Sequence, residues 1–388
     1  MAFQIKDNIL LRYIPDEGQT KAVIPRGVEE IADKAFSDCY GLESVFIPNG
    51  VKRIGRKAFY HCWNMQKINI PETVTEIGEE AFYHCESLKE MQLPENLQII
   101  GKYAFAGCKI KEITIPPLIE EISAGLCSEC KELKLITMPE TIKHIGDNAF
   151  EHCKSLKKFT FPENLQSIGQ YAFSSCGLEG VLNLPSNLQT MEEYVFYGCY
   201  NLEKVIIPQS VKEIKHCALP NTTKTKIFIP HTSIEMGLCC FHAGQKVFFR
   251  KNEKCFIVVL KGEWLKASLE RDLSFFLQHP TFGTFEQIRV EQYKQAVAIG
   301  FYDEIPRIRE YLESHIAEAI KILIDEKQVE TISILLNDRI ITKEAIDPII
   351  EYAIESAQKG GSLEIQTLLL NYKAEYLGFE SVEERLKL

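Results

Sequence analysis

Apolar residues over the first 230 or so positions recur in a fixed long order, not in a simple helix or strand period. The clearest unit, INIPETVTEIGEEAFYHCESLKE, starts at Ile68: Ile68 and Ile70 flank polar Asn69, a proline follows, and Val74, Ile77, Ala81, Phe82 and Cys85 come next. Aligned on the proline, the unit recurs at Pro25, Pro48, Pro71, Pro94, Pro116, Pro139, Pro162, Pro185, Pro208 and Pro230, always 22 or 23 residues apart. Apolar–polar–apolar alternation predicts a short strand with one buried and one wet face. Proline ends it, having no N–H for a ladder. A period of roughly 20–50 residues marks a solenoid, whose units bury their apolar sides only against their neighbours.

Each column has a physical reading. Phe36, Phe59, Phe82, Phe105, Phe150, Phe173 and Phe196 form an inward spine, broken by Cys127. Gly55, Gly78, Gly101, Gly146 and Gly169 mark a sharp turn or a close backbone approach. Cysteine comes three residues after the phenylalanine position, at Cys39, Cys62, Cys85, Cys108, Cys130, Cys153, Cys176 and Cys199. Disulfides between rungs about 4.8 Å apart would be within reach, and a metal ladder is a third reading. Side chains of one column run parallel into the core, which favours cysteine as a small buried hydrophobe. His61, His84 and His152 precede such cysteines and read as solvent-facing turn residues, because zinc wants four convergent ligands. No metal or cofactor is expected.

The composite pattern, a short strand, I-P, then V-x-x-I-G-x-x-A-F-x-x-C-x-x-L, resembles the BspA-like (bacterial surface antigen type) leucine-rich repeats over roughly residues 20–233. The opening FQIKDNILLRYIPDEGQTKAVIP is similar to the hairpin that caps the amino end of such arrays. Turn five (SAGLCSEC) and the last two turns (KHCALPNTT in the ninth) depart from the pattern, as terminal repeats often do. The resemblance implies an α/β repeat fold with a parallel sheet on a concave face. It also implies either protein binding or an adhesin-like, host-interaction role.

Beyond Pro230 the period ends. GQKVFFRKNEKCFIVVLKGEW predicts a hairpin turning at Lys251-Asn252-Glu253 that covers the open sheet edge. Cys239, Cys240 and Cys255 fall in this region and are read as buried or free thiols. From Trp264 the pattern turns helical: Leu269, Leu273, Phe276 and Leu277 share one face, and His279-Pro280 stops the helix. Ala319-Ile320 followed by VETISILL returns 34 residues later as Ala353-Ile354 followed by LEIQTLLL. The stretch YAIESAQKGGSLEIQTLLLNYKAE is similar to an ankyrin repeat without its usual opening. The expected organisation is a capping hairpin (1–22), a leucine-rich-repeat solenoid of about ten units (23–233), a β-hairpin cap or linker (234–263) and an all-α ankyrin-like domain (264–388).

Composition narrows the function classes. The net charge of −10 argues against a general nucleic-acid binder. No apolar run approaches the roughly 18 residues of a membrane helix. The opening residues do not read as a secretory signal, so the cytoplasm is expected, with the cell surface or secretion as the alternative. Phosphate loops, nucleophile elbows and zinc-protease helices are missing, and Asn221-Thr222-Thr223 is a glycosylation sequon by pattern only. The remaining candidate is a non-enzymatic, monomeric scaffold for a protein partner. Its predicted face is a single sheet about 45 Å long, with a middle stripe of Asn69, Gln92, Thr114, Thr137, Thr160 and Asn183. A basic stripe of Lys89, Lys111, Lys134 and Lys157 borders it, opposite an acidic one of Glu72, Glu95, Glu140 and Glu163.

Overall fold

The computed structural model describes residues 2–232, 234–237, 240–241, 244–259 and 267–378; Cys239 and Trp264 lie outside the described residues. Packing divides the chain into Met1–Thr225 with Glu235–His242, and Lys226–Ile234 with Ala243–Leu388.

The first unit is the solenoid, and each of its turns has three sides. On the first, pre-proline strands pair in parallel: Lys21–Val23 with Ser44–Phe46 and then Lys67–Ile68, Glu112–Thr114 with Leu135–Thr137, and Glu179–Asn183 with Asn201–Ile206. The predicted single sheet is therefore broken, because segments 89–93 and 157–161 carry no strand. Each break adjoins a change of spacing. The turn after Pro94 is 22 residues long, not 23. After Cys176 the core leucine comes one residue early, at Leu178, and the surplus residue is absorbed by a bulge at Gly180, whose φ is 74°.

The second side is a parallel ladder that the sequence reading did not foresee. It starts five residues after each proline: Glu30–Ile31, Arg53–Ile54, Glu76–Ile77 and Ile99–Ile100 pair in order. The pattern continues through Glu121–Ile122, His144–Ile145 and Ser167–Ile168, then Thr190–Met191, Glu213–Ile214 and Glu235–Met236. Two-residue strands hold too few positions to show an alternation. The glycine column follows this ladder and serves close approach. A Cβ on Gly78 would lie 2.7 Å from the backbone nitrogen of Arg56, and one on Gly101 would lie 2.3 Å from that of Glu79.

The third side carries the Ala-Phe pair. Its backbone bonds run forward to the next turn, as Phe36 N–H to Ala58 O (2.7 Å), Phe59 to Ala81 (2.8 Å) and Phe82 to Ala104 (2.8 Å). The phenylalanine rings, fully buried, stack at 4.8 Å (Phe36–Phe59), 5.2 Å (Phe59–Phe82) and 5.7 Å (Phe82–Phe105). At the amino end Ala2–Lys6 pairs antiparallel with Ile9–Ile14, turning on Asp7 and Asn8 with φ of 51° and 62°. Those angles suit the tight turn favoured by strand twist. The second strand joins Glu30–Ile31, and Tyr13 extends the ring stack, 4.9 Å from Phe36.

No two of the twelve described cysteines are joined in a disulfide, and every one but Cys255 is buried. The repeat thiols donate to a carbonyl of the preceding turn: Cys62, Cys85 and Cys108 each reach a phenylalanine oxygen (Phe36, Phe59, Phe82) at 3.2 Å. Burial pushes the thiol pKa up, to about 11 for Cys39 and well above normal for Cys85 and Cys153. Thiolate is the reactive form, so iodoacetamide at neutral pH is expected to leave the eleven buried cysteines unmodified until denaturant is added. Rapid labelling of several in the native protein, read by intact mass, would contradict the packing role.

In the second unit, Lys226–Ile229 runs parallel to Lys246–Lys251, which turns at Asn252-Glu253 into antiparallel Lys254–Val259. This is the predicted hairpin. Eight α-helices follow among the described residues: α1 (Ala267–Gln278), α2 (Phe282–Glu286), α3 (Glu291–Phe301), α4 (Pro306–Ala319), α5 (Lys321–Asp325), α6 (Val329–Asn337), α7 (Lys343–Gln358) and α8 (Leu363–Tyr372). Helix α1 ends just before His279-Pro280 and buries Leu273, Phe276 and Leu277. Helix α3 lies on the hairpin, where a Cβ on Gly300 would meet the Phe256 ring at 2.5 Å. The helices that share the 34-residue offset, α6 and α8, pack together, as do α5 and α7. Nearly buried Glu326 accepts from Lys226 and Lys246. Burial alone would raise its pKa, but the two ammonium groups outweigh that and hold it below the usual carboxylate value. No helix among the described residues is long and apolar enough to cross a membrane.

Candidate binding face

Period-two geometry in the pre-proline strands turns the residue two before each proline outward. Asn69, Gln92, Thr114, Thr137, Thr160 and Asn183 are all exposed, and so are Lys89, Lys111, Lys134 and Lys157. Parallel register places Thr114 opposite Thr137. The lysine column rides on its own backbone bonds, Lys111 N–H to Lys89 O at 3.2 Å and Lys134 N–H to Lys111 O at 2.8 Å. Gln92 and Thr160 fall in the two segments where the ladder is broken.

Some of these side chains are already engaged. The Asn69 amide clamps the preceding turn, accepting from Ile47 N–H at 2.9 Å and donating to Ile47 O at 2.7 Å. Lys157 pairs with Glu179 at 3.3 Å. In the acidic stripe, Glu72 and Glu140 accept from the backbone N–H of Glu95 (3.1 Å) and Glu163 (2.8 Å) one turn later. Those carboxylates hold successive turns together as well as charging the surface. Apolar Val23 and Phe46, 60% and 54% exposed, border the polar stripe at its amino end.

A column beside this face escaped the sequence reading. The residue after each repeat cysteine projects outward, because the cysteine itself is fixed in the core. In that column Tyr40, Trp63 and Tyr200 are exposed aromatics, and Tyr40 stacks on Trp63 at 4.5 Å. Between them lie Lys109, Lys131 and Lys154, also exposed. The signal was present as the residue following each cysteine. At the Gly180 bulge a cleft of 770 Å³ opens, with Lys157, Lys158, Thr160, Tyr200, Asn201 and Lys224 in its lining. His61 and His84 occupy left-handed turn positions, φ 57° and 53°, their rings 5.8 Å apart and beside Asp38 and Glu86. They are half-buried in the turn stack, not fully solvent-facing. Among the described residues no group of three or more His, Cys, Asp or Glu side chains is placed to hold a metal.

The BspA type leucine-rich-repeat profile matches in six copies, over residues 16–134 and 120–247. No curated protein matches the chain. Similar solved structures include a leucine-rich repeat protein from Bacteroides ovatus, 25% identical over 61% of this chain and 76% of that one, with a TM-score of 0.47. A leucine-rich repeat protein of T. pallidum is 30% identical over 45% of this chain and 86% of its own, with a TM-score of 0.41. A leucine rich cell surface protein from Faecalibacterium prausnitzii is 21% identical over 60% and 87%, with a TM-score of 0.37.

Proposed function

Because the chain belongs to the BspA-type leucine-rich-repeat family, we propose that it is a non-enzymatic scaffold that engages a protein partner on its pre-proline face. The observation that carries this reading is the stacking of exposed Thr114 and Thr137, in register, beside the continuous Lys89, Lys111 and Lys134 column. A solenoid displays such columns over many rungs at fixed spacing, which suits an extended protein surface better than a small substrate. The helix pairs of the second unit are read as ankyrin-like and as a second binding element. The cytoplasmic placement expected from the opening residues gains no support from the relatives, and surface display or secretion is the alternative. Biotinylation of intact cells with an impermeant reagent separates the two.

The test of the scaffold is affinity capture with the full chain, repeated with Lys111→Glu/Lys134→Glu and, as a control, with Glu121→Lys on the other ladder. Proteins recovered by the wild type are expected to be retained by the control and lost from the double variant. Equal recovery by all three would remove this face from consideration.

A further inference from the structure

Three of the four lysines of the predicted face, Lys111, Lys134 and Lys157, belong to a larger band. In turns four to six, segments 108–112, 130–135 and 153–159 hold seven lysines against two glutamates, in a chain whose net charge is −10. Lys109, Lys131 and Lys154 come from the column after the cysteine, while Lys111, Lys134, Lys157 and Lys158 lie nearer the strands. All seven are exposed. Among the described residues, ion pairs engage only Lys131 (with Glu129, 3.5 Å) and Lys157 (with Glu179, 3.3 Å). Like charges held one rung apart repel each other, and a bound polyanion would relieve that repulsion. The band runs into the 770 Å³ cleft, whose lining holds Lys157, Lys158 and Lys224 against Glu179 and Glu203, together with exposed Tyr200, Thr160 and Asn201.

We propose that this band and its cleft bind a linear anionic glycan, one carrying a sulfate or carboxylate on successive sugar rings. Two features select that ligand. Rungs repeat about every 4.8 Å, whereas same-side residues of an extended peptide recur about every 6.7 Å. An acidic strand lying along the band would drift out of step with the lysines, whereas in an extended glycan, whose successive rings also alternate sides, two pyranose rings span close to two rungs. An exposed tyrosine beside hydroxyl and amide groups offers a flat apolar face with a polar border, which suits the C–H face and hydroxyl rim of a sugar. Single-stranded nucleic acid offers the lysines charges of similar density, so the titration below, and not charge, separates it from a glycan. This ligand class goes beyond the protein-scaffold reading and shares Lys111 and Lys134 with it; capture of a protein and titration with a glycan are separate readouts, so each reading can fail alone.

Isothermal titration of the full chain with heparin hexasaccharide, hexagalacturonate, maltohexaose, poly-glutamate and a single-stranded RNA tests it. Both anionic hexasaccharides are expected to bind, more weakly as salt rises, and neutral maltohexaose is expected not to. Lys111→Gln/Lys134→Gln is expected to weaken glycan binding by about tenfold. Tyr200→Ala is expected to weaken it about fivefold while leaving poly-glutamate binding unchanged. Tyr200 is 55% exposed, so an unaltered melting curve separates lost contact from lost fold. Poly-glutamate or RNA binding as tightly as the glycans would overturn the proposal. So would an inert Tyr200→Ala, or no binding by either anionic sugar.

Discussion

Phe82→Ala is expected to cost the solenoid about 3–5 kcal/mol, the range for truncating a fully buried aromatic side chain, and to split its unfolding into two steps. Phe82 has no exposed surface, and its ring lies between Phe59 at 5.2 Å and Phe105 at 5.7 Å. In a solenoid each turn is stabilised only by its neighbours, so stability is approximately a sum of turn and interface terms. A hole at one turn weakens two interfaces at once and uncouples the segments on either side. Turn five shows how the chain itself manages the position. There Leu126-Cys127 replaces Ala-Phe, and both residues are buried. Volume lost at one position is returned at the next, which is the kind of swap cores tolerate. Cys127→Phe alone should therefore overpack, while the paired Leu126→Ala/Cys127→Phe restores the common pattern. Urea denaturation followed by far-ultraviolet circular dichroism measures these effects. A single transition shifted by less than about 1 kcal/mol for Phe82→Ala would show that the spine is not what couples the turns.

The repeat was legible because its physics is local and is restated ten times. Proline, spine phenylalanine and cysteine each recur at one place, so a single aligned column reveals burial without any pairing having to be guessed. The second-unit hairpin was legible for a related reason, two β-rich runs flanking the polar Lys251-Asn252-Glu253, whereas the amino-terminal hairpin was read from its likeness to the caps of such arrays. What stayed hidden was of a different kind. The ladder at Glu76–Ile77 and its equivalents is two residues wide, too narrow to show a period. The interruptions at 89–93 and 157–161 leave no mark in the segments themselves, where apolar residues stand one and three before the proline as elsewhere. At the candidate face, exposure of the six residues two before each proline followed from alternation, whereas the four lysines five before it have the inward parity and are exposed because they stand ahead of the strands or where no strand forms. The clamp of Asn69 on Ile47 did not, because it runs across 22 residues of sequence. The exposed Tyr40, Trp63 and Tyr200 column shows no pattern of its own in the sequence because its residue type changes from turn to turn, with Glu86, Lys109 and Gly177 at the same position.

Asp303→Ala is expected to destabilise the second unit by about 3 kcal/mol, while Lys254→Met should change it by less than about 1 kcal/mol. The asymmetry follows from burial. Lys254 is only 3% exposed, its ammonium 2.6 Å from the Asp303 carboxylate, whose side chain is 40% exposed. The same ammonium lies 4.1 Å above the ring of Tyr302. Removing the carboxylate strands a positive charge in the interior with the ring alone to stabilise it, a cation–π contact worth about 1–2 kcal/mol. Removing the lysine leaves a carboxylate that water can reach, and methionine refills the apolar stem. The cost of Asp303→Ala should sit at the lower end of the range for broken buried pairs, about 3–5 kcal/mol, because the site is open on the carboxylate side. The double variant Lys254→Met/Asp303→Ala removes both charges and should recover most of the loss, a coupling that neither substitution shows alone. Neighbouring Lys251 makes the comparison within one hairpin. It is 16% exposed and 2.9 Å from Glu304, and water reaches it more readily, so Glu304→Ala should cost about 1 kcal/mol. Chemical denaturation of the four variants decides the matter: strictly additive costs for Lys254 and Asp303 would mean that the buried ammonium is stabilised by something other than this carboxylate.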